Sequence, residues 1–76
     1  MTFLHSEQFV NELDRAEPSP KYQTRVLEIV EDACRIRARK ALGYSFARIF
    51  WKRKLLVWYQ AVEDEITLLS IRPDLM

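Results

Sequence analysis

Residues 45–71 read SFARIFWKRKLLVWYQAVEDEITLLSI, and the period assigned to their apolar side chains decides between a helical domain and a sheet. Wound as a helix, Trp51, Leu55, Trp58, Tyr59, Val62, Ile66 and Leu69 fall within about 100° of one another, while Lys52, Arg53, Lys54, Gln60, Glu63, Asp64, Glu65, Thr67 and Ser70 point elsewhere. Laid out as strands, 55–62 and 66–71 could pair around Glu63-Asp64-Glu65. Both faces of the first strand would then be apolar, and the turn lacks the Gly or Asn that tight hairpins favour. The stretch is therefore read as one helix over 45–71, ending before Pro73.

Upstream, the punctuation also suits helices. Gly43 is the only glycine and there are three prolines, whereas a β-rich domain of this size usually calls on several residues able to take positive φ. A first helix over about 6–17 starts at Ser6, a good cap, with Glu7 in the first turn and Phe9, Val10, Leu13 and Ala16 along one side. It stops at Glu17-Pro18-Ser19-Pro20, because proline disfavours helical geometry in the residue before it. A second helix over 20–42 opens with Pro20 in its first turn and carries Tyr22, Val26, Ile29, Ala33 and Ile36, with Val30 beside them. Gly43 would be its left-handed C-cap.

The expected fold is thus all-α, one domain over 1–76 with helices at about 6–17, 20–42 and 45–71. Phe46, Ile49, Phe50, Val57 and Leu68 fall off the apolar stripe of the third helix, which is then apolar on more than one side. Two flanking helices cannot cover a rod of about 40 Å all round. A second copy of the chain would, so a homodimer burying Phe46, Phe50, Trp51 and Trp58 is expected; a kink near Trp51 is the alternative. A 76-residue chain is marginal by itself, and with one cysteine and one histidine it can build neither an internal disulfide nor a clustered zinc site.

A formal net charge of +1 conceals a segregation. Residues 33–62 carry Arg35, Arg37, Arg39, Lys40, Arg48, Lys52, Arg53 and Lys54 and no acid, while the rest carries four basic and eleven acidic residues. Those eight are the candidate site for nucleic acid or an acidic protein partner, wrapped around the Gly43 corner. Tyr44, Phe46, Phe50 and Trp51 are interleaved with them and could stack on bases. No stretch of about 20 apolar residues could span a membrane, and no basic, apolar leader opens the chain, so a soluble cytoplasmic protein is expected.

No catalytic motif is legible. His5 has no nucleophile tied to it by spacing, and Cys34 reads as a small apolar residue on the second helix. Glu63, Asp64 and Glu65 diverge on a helix and cannot converge on a metal; no glycine-rich phosphate loop exists. The expected role is a small non-enzymatic regulatory or adaptor protein that self-associates, acts through protein contacts, and needs no cofactor or small-molecule substrate.

Two resemblances bear on this. The run 42–49, LGYSFARI, resembles the opening of a helix-turn-helix, but Lys52-Arg53-Lys54-Leu55 stands where the second turn is required and breaks nothing. A second covers most of the chain: a short apolar start at Phe3-Leu4, two helices, then Ala47-Arg48-Ile49-Phe50, residues 55–59 (LLVWY) and residues 66–71 (ITLLSI). That order is similar to the RelE/ParE-type toxins, small α+β proteins whose RelE branch cleaves ribosome-bound messenger RNA. The resemblance implies an α+β fold as the alternative, with Lys52, Lys54 and Arg72 gripping RNA. The chain departs from that pattern in having no glycine between the proposed strands and no arginine just before Val57-Trp58-Tyr59.

Overall fold

Parity, not helical angle, governs the C-terminal half of the chain. The computed structural model describes residues 1–75, in the order β1 (Thr2–His5), α1 (Glu7–Ala16), α2 (Pro20–Ala38), β2 (Gly43–Trp51), β3 (Arg53–Val62) and β4 (Glu65–Pro73). In β3, Leu55, Val57, Tyr59 and Ala61 are buried, while the residues between them turn to the opposite face, with Lys54, Trp58 and Val62 exposed there. β2 does the same with Ala47 and Ile49 inward and Tyr44, Arg48 and Phe50 outward. The expected helix over 45–71 is therefore overturned, and with it the all-α three-helix bundle. The fold is α+β, two helices on a four-stranded mixed sheet, the class that the toxin resemblance implies.

The hairpins form without the residues that usually announce them. Trp51 pairs with Arg53, so the chain reverses at Lys52, whose φ is 61°. Val62 pairs with Glu65, leaving a two-residue turn at Glu63-Asp64 with Glu63 at φ 50°. Each left-handed non-glycine residue costs roughly 1–2 kcal/mol, which the long ladders on either side offset. Gly43, at φ 98°, starts β2 and does not cap a helix.

The sheet order is β1-β4-β3-β2. β3 lies antiparallel to both neighbours, and β1 runs parallel to β4, from Thr2↔Glu65 to His5↔Leu68. A bulge in β4 opposite Trp58 and Tyr59 leaves Leu69 without a partner in the ladder, so that Leu68 and Ile71 both point inward. Both helices sit between β1 and β2 in sequence and pack on one face of the sheet.

The first helix follows the sequence closely. Ser6 caps it, its Oγ accepting the Phe9 N–H at 3.0 Å while its hydroxyl donates to the Leu69 carbonyl at 2.9 Å, which ties β1, α1 and β4 together. Phe9 and Leu13 are buried, whereas Val10 is exposed. The second helix ends at Ala38, four residues short of the expected 42, with Arg39 as its C-cap. Its buried line is Val26, Val30, Cys34 and Ala38, four apart each time. That line is rotated from the expected one: Ile29 and Ala33 pack at its margin, and Tyr22 and Ile36 are exposed. With inward residues of the sheet these make one core, in which Tyr59 is the largest fully buried side chain.

A second copy was expected to cover a helix over 45–71 that is apolar on more than one side, and among the described residues that stretch is strand instead. Phe46, Phe50 and Trp58, expected at a dimer seam, lie together on the sheet face away from the helices, while Trp51 packs against the core on the other.

Candidate nucleic-acid interface

Helices cover one face of the sheet and leave the other open. Across the open face Tyr44, Phe46, Arg48 and Phe50 come from β2, and Lys54, Leu56 and Trp58 from β3, in the register Phe46↔Trp58, Arg48↔Leu56 and Phe50↔Lys54. Tyr44 is 73% exposed, Phe50 68% and Trp58 43%. Exposed aromatics gathered on one face of a sheet point to an interaction surface more than singly scattered ones do.

Phe46 is the centre of the cluster. Its ring lies 5.2 Å from that of Trp58 at a tilt of 54°. The Arg48 guanidinium stands 5.4 Å from the same ring, and Arg37 reaches it from α2 around the sheet edge at 5.6 Å. Arg48 also donates from Nε to Asp74 Oδ2 at 3.0 Å. Asp74 is held there by its own N–H, which donates to the Lys54 carbonyl at 2.9 Å, and its side chain is 6% exposed. A carboxylate thus rests among the cations of this face.

The eight basic residues expected around the Gly43 corner do not act as one patch. Arg37, Arg48 and Lys54 reach the open face or its edge. Arg35 pairs with Asp32 at 2.8 Å and lies over Phe3, on the β1 side. Arg39 and Lys40 are exposed just after α2. Lys52 and Arg53 stand at the β2–β3 tip.

Lys52 is committed to a different contact. Its Nζ lies 2.8 Å from Glu17 Oε1, which also accepts the Trp51 indole N–H at 2.9 Å; Glu17 Oε2 accepts the Ser19 N–H at 3.3 Å. Glu17 has almost no exposed surface, and the hydrogen bond from Lys52, followed by that from Trp51, holds its carboxyl below the ordinary value. Arg72 likewise pairs through Nε with Glu12, which also accepts the Ile71 N–H at 3.2 Å. Of the three residues the toxin resemblance assigns to RNA, Lys52 and Arg72 are each engaged by a carboxylate of the α1 segment, and Lys54 projects from the open face.

His5 ends β1, with Nε2 3.7 Å from Glu31 and its ring against Phe9. Cys34 is fully buried, and burial pushes its thiol up to about 12. Glu63, Asp64 and Glu65 are exposed around the β3–β4 turn. Among the described residues no helix is long and apolar enough to cross a membrane. Sequence reasoning missed Trp58 as a surface residue, Tyr44 as part of one face with Phe46, Arg48 and Phe50, and the carboxylates of Glu17 and Asp74 as partners of the cations. The period-two alternation Tyr44, Phe46, Arg48, Phe50 against Ser45, Ala47, Ile49 was the available signal.

Comparison with known proteins adds no relative: no family model, curated protein or solved structure matches the chain.

Proposed function

We propose that this chain is a cytoplasmic RelE/ParE-type toxin that engages single-stranded RNA on the helix-free face of its sheet and, in the manner of the RelE branch, cleaves it. The observation that carries the reading is the open face itself: Tyr44, Phe50 and Trp58 exposed among Arg48, Lys54 and Arg37. An unstacked base gains from lying on an aromatic ring whatever its identity, and the cations follow the phosphate chain. The element order supports the same assignment, since two helices after a short first strand and three antiparallel strands at the end are what the resemblance implies. We assign phosphate contact to Arg48 and Lys54, and a positioning role to Arg72 through Glu12.

The test is direct. Expression of the chain should arrest growth with loss of intact messenger RNA, and Lys54→Ala together with Trp58→Ala should relieve it. Titration of purified protein with single-stranded RNA should show affinity that falls as salt rises. Growth unaffected by expression, with no RNA binding at low salt, sinks the proposal.

One observation favours a second, non-enzymatic reading as a protein-binding module. β2 is an edge strand, and those of its backbone groups that face away from β3 are open to an added strand from a partner or a second copy. Sedimentation equilibrium giving a homodimer that Phe50→Asp dissociates, without any RNA binding, would select it.

A further inference from the structure

At the β2–β3 tip, Tyr22, Phe50, Trp51 and Lys52 enclose an open, largely apolar niche of about 360 Å³. Tyr22 is 47% exposed and Phe50 more so. The Tyr22 and Trp51 rings meet at a centroid distance of 6.4 Å and a tilt of 46°, a wedge and not a closed stack. The Trp51 ring is fixed in place, because its indole N–H is anchored on the buried Glu17 carboxylate. Three rings around a hollow often receive a cation. Lys52, at the rim, has its Nζ 5.9 Å from the Tyr22 ring centroid, and the neighbouring Lys21 has its Nζ 5.7 Å from the same ring. Lys52 keeps an ammonium group at the rim even while paired with Glu17, and Lys21 adds a second positive charge against the Tyr22 ring, so the niche favours a flat ligand that carries an anionic group over a further cation.

From these contacts we infer that the niche is a nucleotide subsite: it takes one base of an RNA strand against Tyr22, Phe50 and Trp51, with the adjoining phosphate toward Lys21 and Lys52. Phe50 belongs to both the niche and the open face, so a strand lying across Trp58 and Phe50 runs into it. The inference deepens the RNA reading and rests on it for the identity of the ligand. It also gives Glu17 a function, since one carboxylate orients both the ring and the ammonium group that meet the nucleotide.

The probe is adenosine monophosphate, titrated to millimolar concentration against a Trp58→Phe chain in which Trp51 is the sole tryptophan. Stacking on Trp51 should quench its emission, and inorganic phosphate at the same concentration should not. Tyr22→Ala should weaken the response at least about fivefold, as the loss of one base-stacking ring does, and Lys21→Glu should weaken it as well. RNA binding by the native chain is measured in parallel. Quenching that depends on Tyr22 and Lys21 supports the subsite. If RNA binds and the nucleotide leaves Trp51 unchanged, the subsite is refuted while the open face stands. If the nucleotide quenches Trp51 but RNA does not bind, the open-face reading falls. Equal quenching by phosphate alone overturns the subsite, because charge would then suffice.

Discussion

Val57 and Val62 are the same residue five positions apart, and the helical and sheet periods assign them opposite places. A helix over 45–71 puts Val62 on the inward stripe and Val57 off it. In the sheet Val57 is 0% exposed and Val62 is 53% exposed. Val57→Ala removes two fully buried methyl groups, about 1.6 kcal/mol of transfer free energy, plus a cavity that the cross-strand Ala47 and Ile71 and the rest of the core fill only partly; the expected cost is about 2 to 3 kcal/mol. Val62→Ala exposes little that was covered and leaves no cavity, so its cost stays below roughly 1 kcal/mol. A domain of this length holds about 4 to 11 kcal/mol in total, so both variants remain folded. Urea unfolding followed by circular dichroism reads the difference: at a slope of about 1 kcal/mol/M, the midpoint of Val57→Ala falls by roughly 2 to 3 M and that of Val62→Ala by less than about 1 M. Leu68→Ala and Leu69→Ala repeat the comparison at adjacent positions, with Leu68 the costlier. Equal costs, or Val62 and Leu69 the costlier pair, would refute the alternation on which the core and the open face both depend.

Three further outcomes follow from the contacts described. Glu17 has a depressed folded-state pKa, so its contribution is present above the ordinary value of 4.5 and is lost as pH falls through the lower folded one; urea midpoints measured down a pH series should decline less steeply below that point in Glu17→Gln than in the native chain, and parallel curves would contradict this. The Cys34 thiol, buried and pushed up to about 12, should resist a disulfide reagent at neutral pH until urea unfolds the chain, and prompt reaction of the native protein would show the core to be open there. Asp74→Asn removes the carboxylate opposite Arg48, so RNA affinity should rise and the salt slope steepen by about one phosphate equivalent; a loss of affinity would mean that the pair builds the face instead of competing for it.

The helices were legible and the strands were not, for one physical reason. Helix starts are written locally: Ser6 and Glu7, or Ser19 and Pro20, act within a single turn, and both helices begin at those residues. β3 has apolar side chains on both faces, Leu55, Val57, Tyr59 and Ala61 toward the helices and Leu56, Trp58 and Val62 away. A run that is apolar at both parities contains residues at nearly every helical angle, so a stripe can be drawn from it whichever way the chain is folded. The stripe took Trp51, Leu55, Tyr59 and Leu69 from odd positions and Trp58, Val62 and Ile66 from even ones, while Val57 and Leu68, both fully buried, were left outside it. Those exceptions, with Ile49, Phe50, Val57, Trp58 and Tyr59 as a dense β-branched and aromatic series, were the mark of strands. The turns concealed the rest, because Lys52 and Glu63 take the conformation that Gly or Asn would have advertised.

The site was legible in its residue types and not in its grouping. Eight cations without an acid between them look like one surface along the chain, yet the nearest acids in space come from elsewhere: Glu17 to Lys52, Asp74 to Arg48, and Asp32 to Arg35. Each pairing gives its cation a fixed position. Lys52 becomes part of a rigid tip with Trp51, Arg48 is poised at a carboxylate that a phosphate can replace, and Lys54 stays exposed between them. Charge segregation along a sequence measures how many cations are present. Their partners decide which of them are available, and here that leaves the aromatic face of β2 and β3 as the place where an anionic strand gains both stacking and charge.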